Sequence, residues 1–302
     1  MKLVRRVVVP LLLALLTMWS AIACNSGAGE AIKVGSKDFT EQFILGEMYA
    51  LVLENSGLNV KRKLNLGGTP VAHESLKGGQ IDLYPEYTGT ALLTVLKQPV
   101  SSDQKQVFYI VSKAYQENFN LVWLEPAPMN NAQALVMTQT SSQKYGIKTI
   151  SQMVEKASKL TVIGPPEFQA REDGLPGLKK SYGDFQFKKY IPTDPGLRYK
   201  TLTNNQADVA VAFGTDGEIN AFKLVVLADD KKFFPPYQVA PVVRQDILQK
   251  YPSIRTTLDT LAPKLTDETM RRLNYEVSGN QREPAEVAKE FLTQEGLIKK
   301  GS

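Results

Sequence analysis

The sequence predicts an α/β protein of two related lobes facing one another across a cleft. Three observations predict it. Short apolar strands alternate with amphipathic helices, one residue skeleton occurs twice in the same order, and two proline-marked stretches divide the chain.

The chain opens on a targeting segment over residues 1–23. Lys2, Arg5 and Arg6 precede an apolar run from Val7 to Trp19, and small residues follow at Ala21 and Ala23. The run is too short and wrongly flanked for a transmembrane helix, so export is expected. Ala21-Ile22-Ala23 suits ordinary signal peptidase. Ala23-Cys24 before Asn25-Ser26-Gly27 instead resembles a bacterial lipobox, with Ala21 where leucine is usual. Cys24 is the only cysteine, so no disulfide forms within one chain. An unpaired thiol in an oxidising compartment favours lipidation at Cys24, with residues 24–30 as a flexible tether. The expected location is the outer side of the cytoplasmic membrane or the periplasm.

The formal net charge of +5 falls to +2 without the leader's three bases. That near-balance gives no footprint for nucleic acid. The 279 residues that remain bury a large core and suit two lobes better than one.

Ile32 to Gly35 reads as a strand and Glu41 to Asn55 as a helix. Phe43, Ile44, Met48, Leu51 and Val52 share one face of that helix, and Gly57 stops it. Leu58 to Leu66 alternates as a strand. A helix then ends at Gly78-Gly79, and Ile81 to Tyr84 is a strand again. After Trp123 come Pro126, Pro128, Asn130 and Asn131, then strands at Ala134–Met137, Leu160–Ile163 and Leu224–Leu227. Pro235-Pro236 precede a strand over Val239–Val243, and Ile247 to Leu297 is mostly helical. The alternation predicts mainly parallel sheets. The two proline-marked stretches are the expected crossings. They assign residues 31–130 plus 238–302 to lobe 1 and 131–237 to lobe 2.

The internal echo fits this division. Leu76-x-x-x-Gln80-x-Asp82-x-x-x-x-Tyr87 matches Leu202-x-x-x-Gln206-x-Asp208-x-x-x-x-Phe213, and Val34-Gly35-x-x-Asp38-Phe39 matches Ile163-Gly164-x-x-Glu167-Phe168. Any two α/β units share a strand-glycine-acid turn, so one match alone means little. Two in register, 47 residues apart from Gly35 to Asp82 and 44 from Gly164 to Asp208, favour related lobes. Ligands gather beyond the carboxyl ends of strands in such folds. Tyr87 and Phe213 both sit there.

Catalytic machinery is sparse. His73 is the only histidine, which excludes a histidine-rich metal site, and at the start of a predicted helix it reads as solvated or capping. Gly67-Gly68-Thr69-Pro70 lacks the lysine of a phosphate loop, and Glu172-Asp173 and Asp229-Asp230 read as turn or surface acids. No catalytic residue, cofactor or metal is predicted. Binding parts are easier to assemble. Tyr87, Phe213 and Tyr237 offer ring faces for a cation, and Lys37 and Arg171 offer charge for a carboxylate. Taken singly, each has a plainer account: Phe213 as core, Tyr237 as a loop plug, Arg171 as an ion pair with Glu172 or Asp173.

Ser36-Lys37-Asp38-Phe39-Thr40-Glu41-Gln42 and Asp82-Leu83-Tyr84-Pro85-Glu86-Tyr87-Thr88-Gly89-Thr90 resemble motifs of the osmoprotectant substrate-binding proteins. So do Glu167-Phe168-x-x-Arg171-x-Asp173-Gly174-Leu175 and Thr215-Asp216-Gly217. These proteins are the glycine betaine, choline and carnitine receptors of ABC importers, and the resemblance covers residues 31 to 298. It implies a type II periplasmic-binding fold whose lobes close on the ligand, with an aromatic cage for its ammonium. By position, Tyr87 and Thr90 match one wall of the cage. Lys37 and Arg171, the latter in the motif that Glu167 opens, match the groups that hold a carboxylate. Asn131 lies on the first crossing and Tyr237 on the second. Two positions depart from the family: Gln133 stands where a cage tyrosine is usual, and Phe213 replaces another. One ring face is worth about 1–2 kcal/mol, so each missing face costs roughly tenfold in affinity for a trimethylammonium.

The resemblance implies a monomeric, membrane-tethered receptor delivering a quaternary-ammonium or zwitterionic solute to an ABC permease. A solute sensor of the same fold without transport is the alternative. So is a receptor for another polar ligand, such as ergothioneine or an amino acid, because Gln133 offers an amide.

Overall fold

The computed structural model describes residues 30–193 and 197–299; the targeting segment, Cys24 and the tether up to Gly29 lie outside the described residues. Ten strands form two five-stranded sheets. They are β1 (Ile32–Gly35), β2 (Val60–Lys63), β3 (Leu83–Tyr87), β4 (Leu121–Trp123), β5 (Gln133–Met137), β6 (Thr161–Gly164), β7 (Lys189–Pro192), β8 (Val209–Phe213), β9 (Val225–Val226) and β10 (Val239–Arg244). The orders are β2-β1-β3-β10-β4 and β7-β6-β8-β5-β9. One order maps onto the other strand for strand, so the echoed segments occupy equivalent places.

The echo has a physical cause. Asp82 N–H donates to Lys33 O at 2.8 Å while Lys33 N–H donates to Asp82 Oδ2 at 2.8 Å. Asp208 and Thr161 repeat both bonds at 2.8 Å. Each aspartate thus stands in for a ladder partner where β1 or β6 begins, satisfying a backbone donor that would otherwise be lost. Just upstream the chain turns through a left-handed residue, Gly79 at φ +70° and Asn205 at φ +57°. Tyr87 and Phe213, five residues beyond their aspartates, end their strands.

The sheets are not mainly parallel. β1 pairs parallel with β2 and β3, and β6 with β7 and β8. β10 runs antiparallel to β3 and β4, and β5 antiparallel to β8 and β9. The reason is topological. β5 and β10 are the strands entered from a crossing, so each comes into its sheet from the cleft edge instead of through a helical return.

The crossings lie side by side. Asn131 N–H donates to Tyr237 O at 3.1 Å, and Tyr237 N–H to Asn130 Oδ1 at 2.7 Å. The helices that matter here are α1 (Thr40–Asn55), α2 (Thr69–Lys77), α3 (Gln104–Phe119), α4 (Leu175–Tyr182), α5 (Arg198–Thr203), α6 (Asp267–Ser278) and α7 (Pro284–Gln294), with further short helices between. α1 is buried nearly all round, beyond the one apolar face its sequence shows. It packs against the first sheet on one side, while Met270, Leu273, Phe291 and Leu292 of α6 and α7 share the same core. The C-terminal helices therefore share the core of the first sheet.

Two sequence expectations shift. The strand over Leu58–Leu66 shortens to Val60–Lys63 at a sheet edge, where Arg62 pairs with Glu47 and Glu54 at 2.6 and 2.5 Å. His73 is neither solvated nor capping. It sits mid-helix and buried, edge-on to Tyr115 and Phe119 at 5.3 and 4.9 Å. Burial, with Lys77 nearby, holds its ring below the ordinary histidine value.

Candidate functional site

A cleft of about 970 Å³ opens between the two sheets, and its lining takes in Lys37, Tyr87, Thr90, Asn131, Gln133, Glu167, Arg171, Phe213 and Tyr237. Topology brings these nine together. Lys37 follows β1, Tyr87 ends β3, and Phe213 ends β8. Gln133 opens β5, and Glu167 and Arg171 lie on the turn after β6. Tyr237 precedes β10, so every one sits at the strand ends that face the cleft.

The Lys37 ammonium is engaged by the protein. It donates to Glu86 Oε1 at 2.5 Å and to Thr69 Oγ1 at 3.0 Å, and both members of the ion pair are buried. Glu86 also accepts from the Tyr84 hydroxyl at 2.8 Å and from the Tyr87 N–H at 2.7 Å. Lys37 Nζ lies 5.0 Å from the Tyr87 ring centroid.

Asp173, read from sequence as a surface acid, is buried and central. Arg171 grips it with Nε on Oδ1 at 2.7 Å and Nη2 on Oδ2 at 2.5 Å. Gln133 Nε2 donates to its Oδ2 at 2.8 Å and its backbone oxygen at 3.0 Å, and the Tyr237 hydroxyl donates to Oδ2 as well. Burial pushes this carboxyl upward, but Arg171 and Tyr237 outweigh it and hold it below the usual range. The Gln133 amide nitrogen is thereby committed to Asp173.

Glu41, on the first turn of α1, forms a second buried centre. It accepts from the Tyr87 hydroxyl at 2.7 Å, Asn131 Nδ2 at 2.9 Å and Asn274 Nδ2 at 2.8 Å. Burial raises its carboxyl above the ordinary value; bonds from Thr215, Asn274 and Tyr87 oppose this, and Asp216 adds to it. The folded state therefore holds this proton more tightly than the unfolded chain. Ionisation costs stability progressively as pH rises from the ordinary glutamate value through the folded one. Glu41→Gln is expected to raise the melting temperature at pH 7.5 and leave it unchanged near pH 4. Melting curves that shift equally at both pH values would contradict the assignment.

A third centre lies on α5. Arg198 Nη2 donates to Asp216 Oδ2 at 2.5 Å, the Tyr199 hydroxyl donates to the same oxygen at 2.5 Å, and the Phe213 N–H joins them at 2.7 Å. The guanidinium lies 5.4 Å from the Phe213 ring centroid. Two of the three predicted cage rings, Tyr87 and Phe213, thus already lie beside a protein cation.

The cleft lining also holds Glu41, Arg198 and Asn274, to which the sequence assigned no role. A signal for Arg198 existed. The echo that aligns Leu202 with Leu76 aligns Arg198 with Ala72, so a charge stands at a buried position of the repeat.

The description "substrate binding domain of ABC-type glycine betaine transport system" fits residues 30–294. The chain belongs to that family. Within and beside it, the chain is 38% identical over 274 residues to a Helicobacter pylori ergothioneine transport permease/ergothioneine binding protein, covering 90% of this chain but about half (49%) of that longer one. It is 36% identical to the Listeria monocytogenes carnitine transport binding protein OpuCC, covering 87% and 86% of the two chains. A solved glycine betaine/carnitine/choline ABC transporter structure superposes with a TM-score of 0.81 at 31% identity, over 88% of this chain and 99% of that one. The family's type II periplasmic-binding fold, two lobes and two crossings, is the architecture seen in the sheets.

Proposed function

We propose that this protein is the extracytoplasmic receptor of an ABC importer and that its cleft takes a quaternary-ammonium or zwitterionic compatible solute. Lobe 1 comprises residues 31–130 and 238–302, and lobe 2 comprises 131–237. The observation that carries the reading is the charge of the lining. Asp38, Glu41, Glu167, Asp216 and Glu218 outnumber Lys37, Arg171 and Arg198, and each of those bases is already paired with an acid. A cation entering between the rings and these acids gains from both. The names of the Listeria and Helicobacter relatives, which bind carnitine and ergothioneine, agree with a trimethylammonium ligand.

Ligand closes the lobes because only the closed state offers both walls at once. The protein acts by binding and release, as a monomer anchored through Cys24, and hands its solute to a permease. Calorimetry on the mature domain with choline, carnitine, glycine betaine and ergothioneine is the test. One-to-one binding at micromolar Kd or tighter, roughly −8 kcal/mol, is expected for at least one of them. Silence across the whole set would sink the proposal.

A further inference from the structure

One face of the second sheet, over Leu135, Met137, Val162, Val209 and Val211, is covered by residues 139–160, 175–189 and 229–234. That layer carries ten lysines, no arginine and four acids. Surface lysines are usually no more than solvated, so only an unusual placement carries meaning. The first sheet supplies the comparison. Leu83 and Val209 occupy the same place in the echo, and Leu83 belongs to the core that residues 40–63 and 245–299 cover. Those residues hold eleven bases against twelve acids. The same architecture thus carries a balanced layer on one sheet and a strongly basic one on the other, so the fold itself does not call for the charge.

The ten lysines come from five separate segments, and hydrogen bonds knit these into one face. Lys156 Nζ donates to Tyr145 O, which sets Lys144 beside Lys156. Lys188 N–H donates to Ala157 O and Leu160 O at 3.1 and 3.0 Å, so Lys188 and Lys189 lie next to Lys159. Ala228 N–H donates to Lys148 O at 2.9 Å, and Ser151 N–H and Oγ donate to Asp230 at 3.1 and 2.5 Å. Those bonds bring Lys231 and Lys232 towards Lys148. Lys231 also donates through Nζ to Ser181 O at 3.1 Å and through its N–H to the Tyr182 hydroxyl at 2.9 Å, beside Lys179 and Lys180 in the last turn of α4. The acids do little to neutralise this face. Asp229 accepts from the Tyr182 hydroxyl at 2.5 Å and the Phe234 N–H at 2.8 Å, and Asp230 is held by Ser151. Among the described residues, an ion pair forms in this layer at Lys179, with Asp184 at 3.9 Å. Lys148, Lys159, Lys180, Lys188, Lys189 and Lys232 are all exposed.

We propose that this lysine face docks on an anionic phospholipid surface. Headgroup phosphates in a bilayer stand at no fixed spacing, so the density of mobile ammoniums counts for more than a bidentate fit. Ten lysines without an arginine suit that requirement. An acidic protein surface presents fixed carboxylates instead, which arginine forks match better. Each lysine close to the bilayer strengthens binding by about fivefold, within a Debye length of about 8 Å at physiological salt. The residues before Ile32 lead into the first sheet, so contact through the second holds the molecule at a point away from its amino terminus. None of these lysines is part of the cleft lining, so docking leaves the cleft open to solute.

The test is co-sedimentation with vesicles, using the mature chain with Cys24→Ala so that no lipid anchor contributes. Vesicles of phosphatidylcholine with about one third phosphatidylglycerol are expected to bind it at least about tenfold more tightly than pure phosphatidylcholine at about 50 mM salt, and far less so at about 300 mM. Lys180→Glu, Lys188→Glu, Lys189→Glu and Lys232→Glu together are expected to abolish the preference for the anionic vesicles. Glutamine at the same four positions serves if the glutamate variant fails to fold, and is expected to weaken binding at least about tenfold. Lys61→Glu, Lys63→Glu, Lys97→Glu and Lys105→Glu, exposed lysines elsewhere, change the net charge equally and are expected to cost less than about threefold. Equal binding to both kinds of vesicle, or equal losses from the two sets of four, would overturn the proposal. So would binding to poly-glutamate with none to anionic vesicles, which would mark an acidic protein as the partner. The solute reading of the cleft stands or falls separately, by calorimetry.

Discussion

Asp173→Ala is expected to lower the unfolding free energy by about 2–3 kcal/mol, because it strands the buried Tyr237 hydroxyl and takes one of two acceptors from the Gln133 amide. Arg171, Gln133 and Tyr237 all converge on this carboxylate, and Tyr237 reaches it from the second crossing. The same change is expected to abolish binding, since three lining side chains lose their anchor together. Denaturant unfolding checks the stability and calorimetry the binding; a loss under 1 kcal/mol would show that Asp173 is not the hub. The depressed carboxyl also sets a pH dependence. Its contribution is complete above the ordinary aspartate value and is lost as pH falls through the lower folded value. The wild type is thus expected to lose stability in acid more steeply than Asp173→Asn.

Lys37→Met carries a larger cost, about 3–5 kcal/mol, by a different route. It leaves Glu86, wholly buried, with two hydrogen bonds and no counter-charge. Adding Glu86→Gln to the same chain is expected to recover most of the loss, because the isolated charge and not the missing bond is what costs. A double variant no more stable than the single one would refute this. If Lys37 instead served mainly to hold a ligand carboxylate, the single variant would fold normally and fail only in binding.

The architecture was legible in the sequence wherever the backbone needed a particular residue. Asp82 and Asp208 close strand ends and leave the same letter in both lobes, while Gly79 and Asn205 are two residue types that both take the left-handed turn. Strand direction was not legible, since a strand entered from a crossing and one entered from a helix share the same apolar pattern. The nine lining positions were found because motif residues at strand ends converge by topology. What those residues bond to was hidden, for partners are chosen by tertiary distance. Asp173 looked like any acid in a turn until Gln133, 40 residues away, and Tyr237, 64 residues away, reached it. Arg198 sat outside every motif, and only its misfit with Ala72 gave it away.

The paired crossings have a mechanical consequence. Asn131 and Tyr237 are bonded to each other's strand of the hinge, so a solute pressing on them pushes at the pivot and exerts almost no torque. Turning force comes from groups held off the axis, such as Arg198 and Asp216 on one lobe or Glu41 on the other. On the proposed receptor reading, residues at the pivot would select what enters and those on the arms would decide whether the lobes shut. A molecule that fits the first set and misses the second would be held in an open receptor and never offered for transport.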